Sequence, residues 1–139
     1  MAGKPSEEQI LFPNAELEIG GDQVTVREFG FMESLKLEPL ATPIIDALAG
    51  IAQDWESVTE KEVLYVIAEH DLAYAKLIAA SIDRPLEFVQ GLDDADGMAV
   101  ASTFWRVNQG FFVRRLLRKI LPKAIQQAKA SAGQVSSPR

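Results

Sequence analysis

The residues best able to perform acid–base or nucleophilic chemistry are scarce in this sequence. His70 is the only histidine, and the chain contains no cysteine. A Ser-His-Asp or Cys-His arrangement would have to rely on this one ring, and a zinc-thiolate site cannot form. His70 stands beside Asp71 at a predicted helix boundary, where a surface or capping histidine is the ordinary case. The sequence therefore predicts no catalytic residue.

The acidic stretch LDDADG at residues 92–97 invites comparison with a calcium-binding loop. The calcium-loop pattern would place Leu92 at the first ligand position and Thr103 at the twelfth, and both positions lack the required carboxylate. The acids are better suited to a helix start, since carboxylates accept hydrogen bonds from its free N–H groups. Glycine-rich phosphate loops are also absent. No metal and no cofactor is predicted.

The remaining signal lies on a long helical pattern at residues 98–121. Large apolar residues recur there at helical spacing, and Trp105 and Phe112 are predicted to be core residues. Asn108 shares their face and must find hydrogen-bond partners, so it either fixes a helix contact or caps a break near Gly110. Basic residues crowd the last turns: Arg114, Arg115, Arg118 and Lys119.

Charge is distributed unevenly along the chain. Residues 1–96 contain all 20 acidic residues and six basic ones, a net charge of −14. Residues 97–139 contain eight basic residues and no acidic one, a net charge of +8, which together give the overall −6. Two interpretations are open. The basic element neutralises the acidic body of its own domain, or it forms a clamp for an acidic partner.

Length and composition predict one globular domain in a reducing compartment. A chain of 139 residues with 47% hydrophobic residues can bury a core without disulfides or metals. No apolar run approaches the roughly 20 residues that a membrane helix needs, and no secretion signal is recognised. The sequence pI of about 4.8 argues against general nucleic-acid binding, because phosphates repel an acidic body.

The expected fold class is mostly α (α+β), a single helical domain with an N-terminal β-hairpin packed on the helices. Period-two alternation on both sides of Gly20-Gly21 predicts the hairpin. A short helix is expected over residues 29–37, with Phe31, Met32 and Leu35 on one face. A linker bracketed by Pro39 and Pro43 follows. Further helices are expected over residues 42–53, 60–69, 70–82, 86–90 and 98–121.

Domain boundaries follow from the same pattern. Residues 1–9 are predicted to be a disordered tail, and residues 10–122 the helical domain with its hairpin. Pro122 should stop or kink the long helix. Residues 123–139 are predicted to be a basic tail, helical at most to Ala130 and then disordered.

One run of residues late in the chain has a recognisable spacing, D-G followed by W-x-x-N-x-x-F-F-x-R-R. In this sequence it consists of Asp96-Gly97, Trp105, Asn108, Phe111-Phe112 and Arg114-Arg115. Together with the hairpin around G-G and the helical middle, the pattern resembles the small tail assembly chaperones of long-tailed (siphovirus-like) bacteriophages and prophages. The resemblance covers residues 15–121 in layout and only the last third in specific residues.

The resemblance implies a non-enzymatic role in the cytoplasm of the bacterial host. Proteins of this family bind the long, helical tape measure protein and keep it soluble until the tail tube polymerises around it. The implied partner is thus the tape measure protein, with the tail tube protein as a second candidate, and homo-oligomerisation is left open. The residues expected to bind the partner are Arg106, Phe111, Arg114, Arg115, Arg118 and Lys119.

Three alternatives to a chaperone remain open. A structural phage tail or head-completion protein would be present in the virion. A regulatory nucleic-acid binder would use the basic segment, and its affinity would fall steeply with salt. An enzyme would need a pocket with convergent polar groups, which the sequence does not predict.

Overall fold

The computed structural model describes residues 14–51 and 55–136. Its N-terminal element is an antiparallel hairpin of strands β1 (Ala15–Ile19) and β2 (Asp22–Val26), with Ala15 opposite Val26 and Ile19 opposite Asp22. Gly20 and Gly21 form the two-residue turn with φ of 60° and 87°. Both values lie in the left-handed region, which glycine adopts without a steric cost. The predicted Gly-Gly hairpin is confirmed.

Five helices follow the hairpin in the described residues. They are α1 (Phe31–Ile51), α2 (Glu60–Glu69), α3 (Asp71–Ile82), α4 (Leu86–Gln90) and α5 (Asp94–Ser136), with a 3₁₀ turn at Trp55–Ser57. The hairpin packs against α3 and α5. The predicted class, a mostly helical domain with a hairpin resting on the helices, is confirmed.

Local signals place the boundaries of the middle helices. The predicted capping box begins α2: the Thr59 hydroxyl accepts a hydrogen bond from the N–H of Glu62, whose carboxylate accepts one from the N–H of Thr59. A break at His70 separates α2 from α3, as predicted. Asp83, with φ of 56°, ends α3 in the left-handed conformation.

The first helix differs from its prediction. We expected a short helix and a linker at Pro39 and Pro43, whereas α1 runs unbroken through both prolines. Both rings are exposed, so the carbonyls that lose an N–H partner are on the solvent side. The Thr42 hydroxyl also donates to the Glu38 carbonyl at 2.8 Å. Burial of the stripe on the other face of this helix offsets the roughly 3 kcal/mol that an interior proline costs. That stripe comprises Ala41, Ile44, Ile45 and Leu48.

The last helix is longer than predicted at both ends. It begins at Asp94 because the Asp93 carboxylate accepts a hydrogen bond from the N–H of Asp96 at 2.8 Å. Of the stop or kink predicted at Pro122, the stop is wrong, because the helix continues to Ser136 and so also passes the predicted end at Ala130. The segment after the proline is rich in alanine, glutamine and lysine, which favour helix. The predicted tail at residues 1–9 lies outside the described residues.

The core lies where α1, α3 and α5 meet the inner face of the hairpin. Aromatic rings dominate it: Phe104 meets Tyr74 at 5.2 Å and Phe112 at 6.1 Å between ring centroids, both edge to face. Phe112 is fully buried, as predicted, and so is Phe104; Leu116 is nearly so. Trp105 is half-buried and packs against Phe112 at 5.1 Å.

Replacing Phe112 with alanine should lower the free energy of unfolding by about 3–5 kcal/mol, because the ring is fully buried among other rings. Phe31→Ala is the matched control, since Phe31 is exposed and its loss should cost less than about 0.5 kcal/mol. Urea denaturation measures both values. Equal losses in the two variants would show that the core is not centred on Phe112.

Candidate functional site

Asn108 joins three elements at the centre of the fold. Its side chain is 1% exposed. Its Oδ1 accepts from the N–H of Phe29 at 2.9 Å, and its Nδ2 donates to the carbonyl of Arg27 at 2.9 Å. Ser81 on α3 completes the group, donating from its hydroxyl to the same Arg27 carbonyl at 2.8 Å. Of the two predicted roles, the cap of a break near Gly110 is wrong, because α5 runs unbroken past it. Asn108 instead fixes the segment that leaves the hairpin, and its Nδ2 lies 3.5 Å from the Ser81 hydroxyl on α3.

The Arg27 side chain fixes how the chain leaves the hairpin. Its guanidinium binds Glu33 at 3.0 Å and Asp83 at 2.6 Å, and donates to the Ala80 carbonyl at 2.9 Å. Hydrogen bonds that Arg27 donates to these two carboxylates raise the pKa of Arg27 further above its usual range. The start of α1 is therefore held against the end of α3, and Phe29 and Phe31 take fixed positions beside α5.

Part of the basic cluster on α5 forms ion pairs with acidic side chains of α1. Arg115 is 11% exposed, binds Glu38 at 2.9 Å and lies over the Phe111 ring at 4.1 Å. Lys119 binds Asp46 at 2.6 Å. Arg118 approaches Glu38 only at 3.9 Å and is mostly exposed, so this contact adds little. The first interpretation of the charge asymmetry thus holds for Arg115 and Lys119.

Two arginines on α5 have no acidic partner among the described residues. They are Arg106 and Arg114, both exposed. Arg114 lies close along its own helix, because a Cβ atom at Gly110 would meet its guanidinium at 2.8 Å. Glycine at position 110 therefore leaves room for Arg114 to fold over the helix surface.

Arg114 borders an open cleft between α1 and α5, here called the α1–α5 cleft. Its volume is about 600 Å³. Its lining residues are Phe29, Phe31, Ser34, Arg114, Arg115, Leu117 and Arg118. Of its apolar lining residues, Phe31 is 75% exposed and Leu117 is 38% exposed. Met32 and Leu35 on α1 are exposed as well, although they do not line the cleft. Clustered exposed apolar side chains with a charged rim are typical of a surface that binds another molecule.

A second groove lies between α2 and the first half of α5, here called the α2–α5 groove. Its volume is about 610 Å³. The walls are apolar, with Leu64 and Ile67 on α2 facing Met98 and Trp105 on α5. Tyr74 also lines it, and its hydroxyl lies 3.4 Å from the Ala101 carbonyl. Burial raises the pKa of Tyr74 above its usual range.

The described residues offer neither a membrane span nor a metal cluster. None of their helices combines the length and apolar character needed to cross a membrane. No three histidine, cysteine, aspartate or glutamate side chains in this part of the chain are grouped so that they could hold a metal ion. The candidate sites are the α1–α5 cleft and the α2–α5 groove, because both expose apolar side chains.

Comparison with known families assigns the chain as a whole. A match to DUF6631, a family of unknown function, covers residues 7–139. The chain belongs to this family. No curated protein and no solved structure matches it. Family membership thus leaves the activity of this DUF6631 protein to be inferred from its surface.

The structure brings together only part of the set expected from sequence to bind a partner. Arg114, Arg115 and Arg118 line the α1–α5 cleft, whereas Arg106 lies outside it. Lys119 lies beside a smaller cavity of about 230 Å³ with Arg115 and Arg118. Phe111 is 2% exposed and belongs to the core, so its ring is not on a surface that a partner could reach.

The residues that sequence analysis missed are exposed apolar ones: Phe31 and Leu117, which line the cleft, and Leu35, which does not. Phe31 and Leu35 were expected to form a helix face, and such a face is normally buried. Both are exposed instead, as is Leu117. The available signal was the spacing of Phe31 and Leu35, four residues apart on a helix whose buried stripe lies elsewhere.

Replacing Asn108 with alanine should lower the free energy of unfolding by about 2–3 kcal/mol, because it leaves the Phe29 N–H buried without an acceptor. Gln109→Ala is the matched control: it removes an exposed amide from the next position and should cost less than about 0.5 kcal/mol. Urea denaturation measures both. A small loss for Asn108→Ala would show that the hydrogen-bonded junction contributes little.

Tyr74 predicts a loss of stability in alkali. The folded state holds the proton of the Tyr74 hydroxyl more tightly than the unfolded chain does. The resulting contribution to the free energy of unfolding is therefore complete below about pH 10 and is lost as the pH rises further. Tyr74→Phe should therefore flatten the decline in unfolding free energy between about pH 10 and 12. Tyr65→Phe, at an exposed position, is the control. Equally steep declines in all three proteins would contradict the prediction.

Proposed function

We propose that this protein is a phage tail assembly chaperone that binds the tape measure protein and keeps it soluble until the tail tube polymerises around it. The resemblance in the W-x-x-N-x-x-F-F-x-R-R segment motivates the proposal. The observation that carries it is the α1–α5 cleft, an exposed apolar surface bordered by arginines. The proposed place of action is the cytoplasm of the bacterial host.

Leu117 and its neighbours on α5 form the centre of the proposed contact. Leu117 lies between Arg114, one turn earlier, and Arg118, the next residue, and all three line the cleft. Facing them, Phe31 presents a largely exposed ring from the start of α1. An amphipathic helix can lay its apolar side chains on such a surface, while flanking acids meet the arginines.

The ion pairs between α5 and α1 indicate which cations of α5 are free to bind the partner. Arg115 and Lys119 are committed to Glu38 and Asp46, so they are assigned to the fold. Arg114 has no acidic partner in the described part of the chain, and Arg118 has only a long contact to Glu38. These two arginines are therefore assigned to the partner. Rim charges of this kind mainly raise the association rate.

The proposed role uses binding alone and requires no catalytic group. A long helical protein with many exposed apolar faces aggregates unless those faces are covered. A small domain with a preformed apolar cleft can cover one such face without a large change of its own structure. The tail tube protein is a second proposed partner, since it replaces the chaperone on the tape measure protein.

The test is co-expression with a candidate tape measure protein, scored by the soluble fraction of the tape measure protein. The wild-type chain should increase that fraction several-fold. Arg114→Glu combined with Leu117→Glu should abolish the gain, because the pair places two acids in the cleft. Arg115 is left intact, since its reversal would set a carboxylate against Glu38.

Arg106→Glu is the matched control. It reverses one exposed cation on the same helix outside the cleft, and it should retain the solubilising effect. Equal loss with Arg106→Glu would remove the cleft from the mechanism. If the wild-type chain leaves the tape measure protein as insoluble as it is alone, the chaperone proposal is wrong, and a structural tail or head-completion role takes its place.

A further inference from the structure

The α2–α5 groove is shaped by two facing helical stripes. On α2 the stripe consists of Val63, Leu64 and Ile67, and on α5 of Met98, Ala101 and Trp105. Both sets follow the spacing of one helix face. Leu64 is 40% exposed and Met98 45% exposed, so neither stripe is covered by the described part of the chain. Side chains of a third helix can fit between two such ridges.

Carboxylates outnumber cations on α2 and on the first turns of α5, the two segments that form this groove. The carboxylates on its two helices are Glu60, Glu62 and Glu69 on α2 and Asp94 and Asp96 at the start of α5. Glu60 lines the groove itself. The one cation on α2 is Lys61, which lies over the ring of Tyr65 at 5.7 Å. On α5 no cation precedes Arg106.

These carboxylates differ from the acids of α1 in how they are compensated. Glu38 and Asp46 on α1 are bound by Arg115 and Lys119. Within the described residues, no arginine or lysine lies at ion-pair distance from Glu60, which lines the groove, or from the other four carboxylates of these two helix segments. The groove thus combines an exposed apolar floor with a carboxylate, Glu60, that no arginine or lysine of the described residues binds.

We infer that the α2–α5 groove binds an amphipathic helix of a protein partner whose apolar face is flanked by lysine or arginine. Basic flanks meet the carboxylates while the apolar face covers Leu64, Met98 and Trp105. A nucleic acid or an anionic membrane does not fit, because the same carboxylates repel phosphate groups. The inference does not depend on the proposed function, since the α1–α5 cleft has the opposite charge.

The test uses a designed 18-residue helical peptide with a leucine face and lysine flanks. The control peptide has the same leucine face and glutamate flanks. Binding is followed by the fluorescence of Trp105, which lines the groove, in a Trp55→Phe background. The lysine peptide should bind with a micromolar Kd, and the glutamate peptide at least about tenfold more weakly.

Two variants separate the apolar floor from the charge. Leu64→Gln combined with Met98→Gln should weaken the binding of the lysine peptide at least about tenfold. Glu60→Lys should bring the Kd values of the lysine and glutamate peptides closer together. Leu72→Gln is the matched control: it changes an exposed leucine on α3 outside the groove and should leave binding unchanged. Circular dichroism and urea denaturation confirm that each variant is folded.

Several outcomes would overturn the inference. They are no binding of the lysine peptide up to about 1 mM, equal affinity for the two peptides, or an equal loss with Leu72→Gln. A second copy of the chain is the remaining occupant, and sedimentation of the wild-type protein decides this. A dimer that Leu64→Gln with Met98→Gln converts to a monomer would assign the groove to self-association and overturn the inference.

Discussion

The structure depends on one buried amide. Asn108 forms hydrogen bonds with the N–H of Phe29 and the carbonyl of Arg27. Both groups belong to the segment that follows the hairpin and enters the protein interior. Buried backbone groups without partners are costly, so this arrangement favours one position of the hairpin exit against α5. Arg27 extends the constraint by binding Glu33 and Asp83, which sets the start of α1 against the end of α3. The position of Phe31 beside α5 follows from both contacts.

Helix α5 forms a wall of both candidate sites and gives them opposite charge. Its first half carries Asp94 and Asp96 and faces α2 across the apolar groove. Its second half carries the arginines and faces α1 across the α1–α5 cleft. The buried stripe between them, with Phe104 and Phe112, completes the core without these surface residues. The exposed residues of the two candidate sites, such as Leu117 and Met98, lie outside the core, so they can be substituted without removing a core side chain.

Helix ends that depend on neighbouring residues in the sequence could be predicted. The Thr59–Glu62 capping box gave the start of α2, and the break at His70 gave the start of α3. The extents of α1 and α5 were predicted wrongly because proline inside a helix carries a large free-energy cost. In α1 the tertiary packing of the buried stripe outweighs this cost. The fold class followed from alternation and helical spacing, which report burial directly.

The candidate site was harder to predict, since its decisive contacts are long-range. Arg115 binds Glu38 from 77 positions away, and no local pattern shows which arginines of the cluster are already paired. Phe111 had the spacing of its neighbours but points into the core. Asn108 was recognised as needing partners, yet those partners lie 79 and 81 residues earlier.

The central claim is that the α1–α5 cleft contacts the tape measure protein during assembly. A photoreactive amino acid placed at position 117, in cells producing the phage tail proteins, tests it most directly, with position 72 as the reference site. The account predicts a crosslink to the tape measure protein from position 117 and none from position 72. Equal crosslinking from both positions, or crosslinking from position 117 only to other proteins, would contradict it.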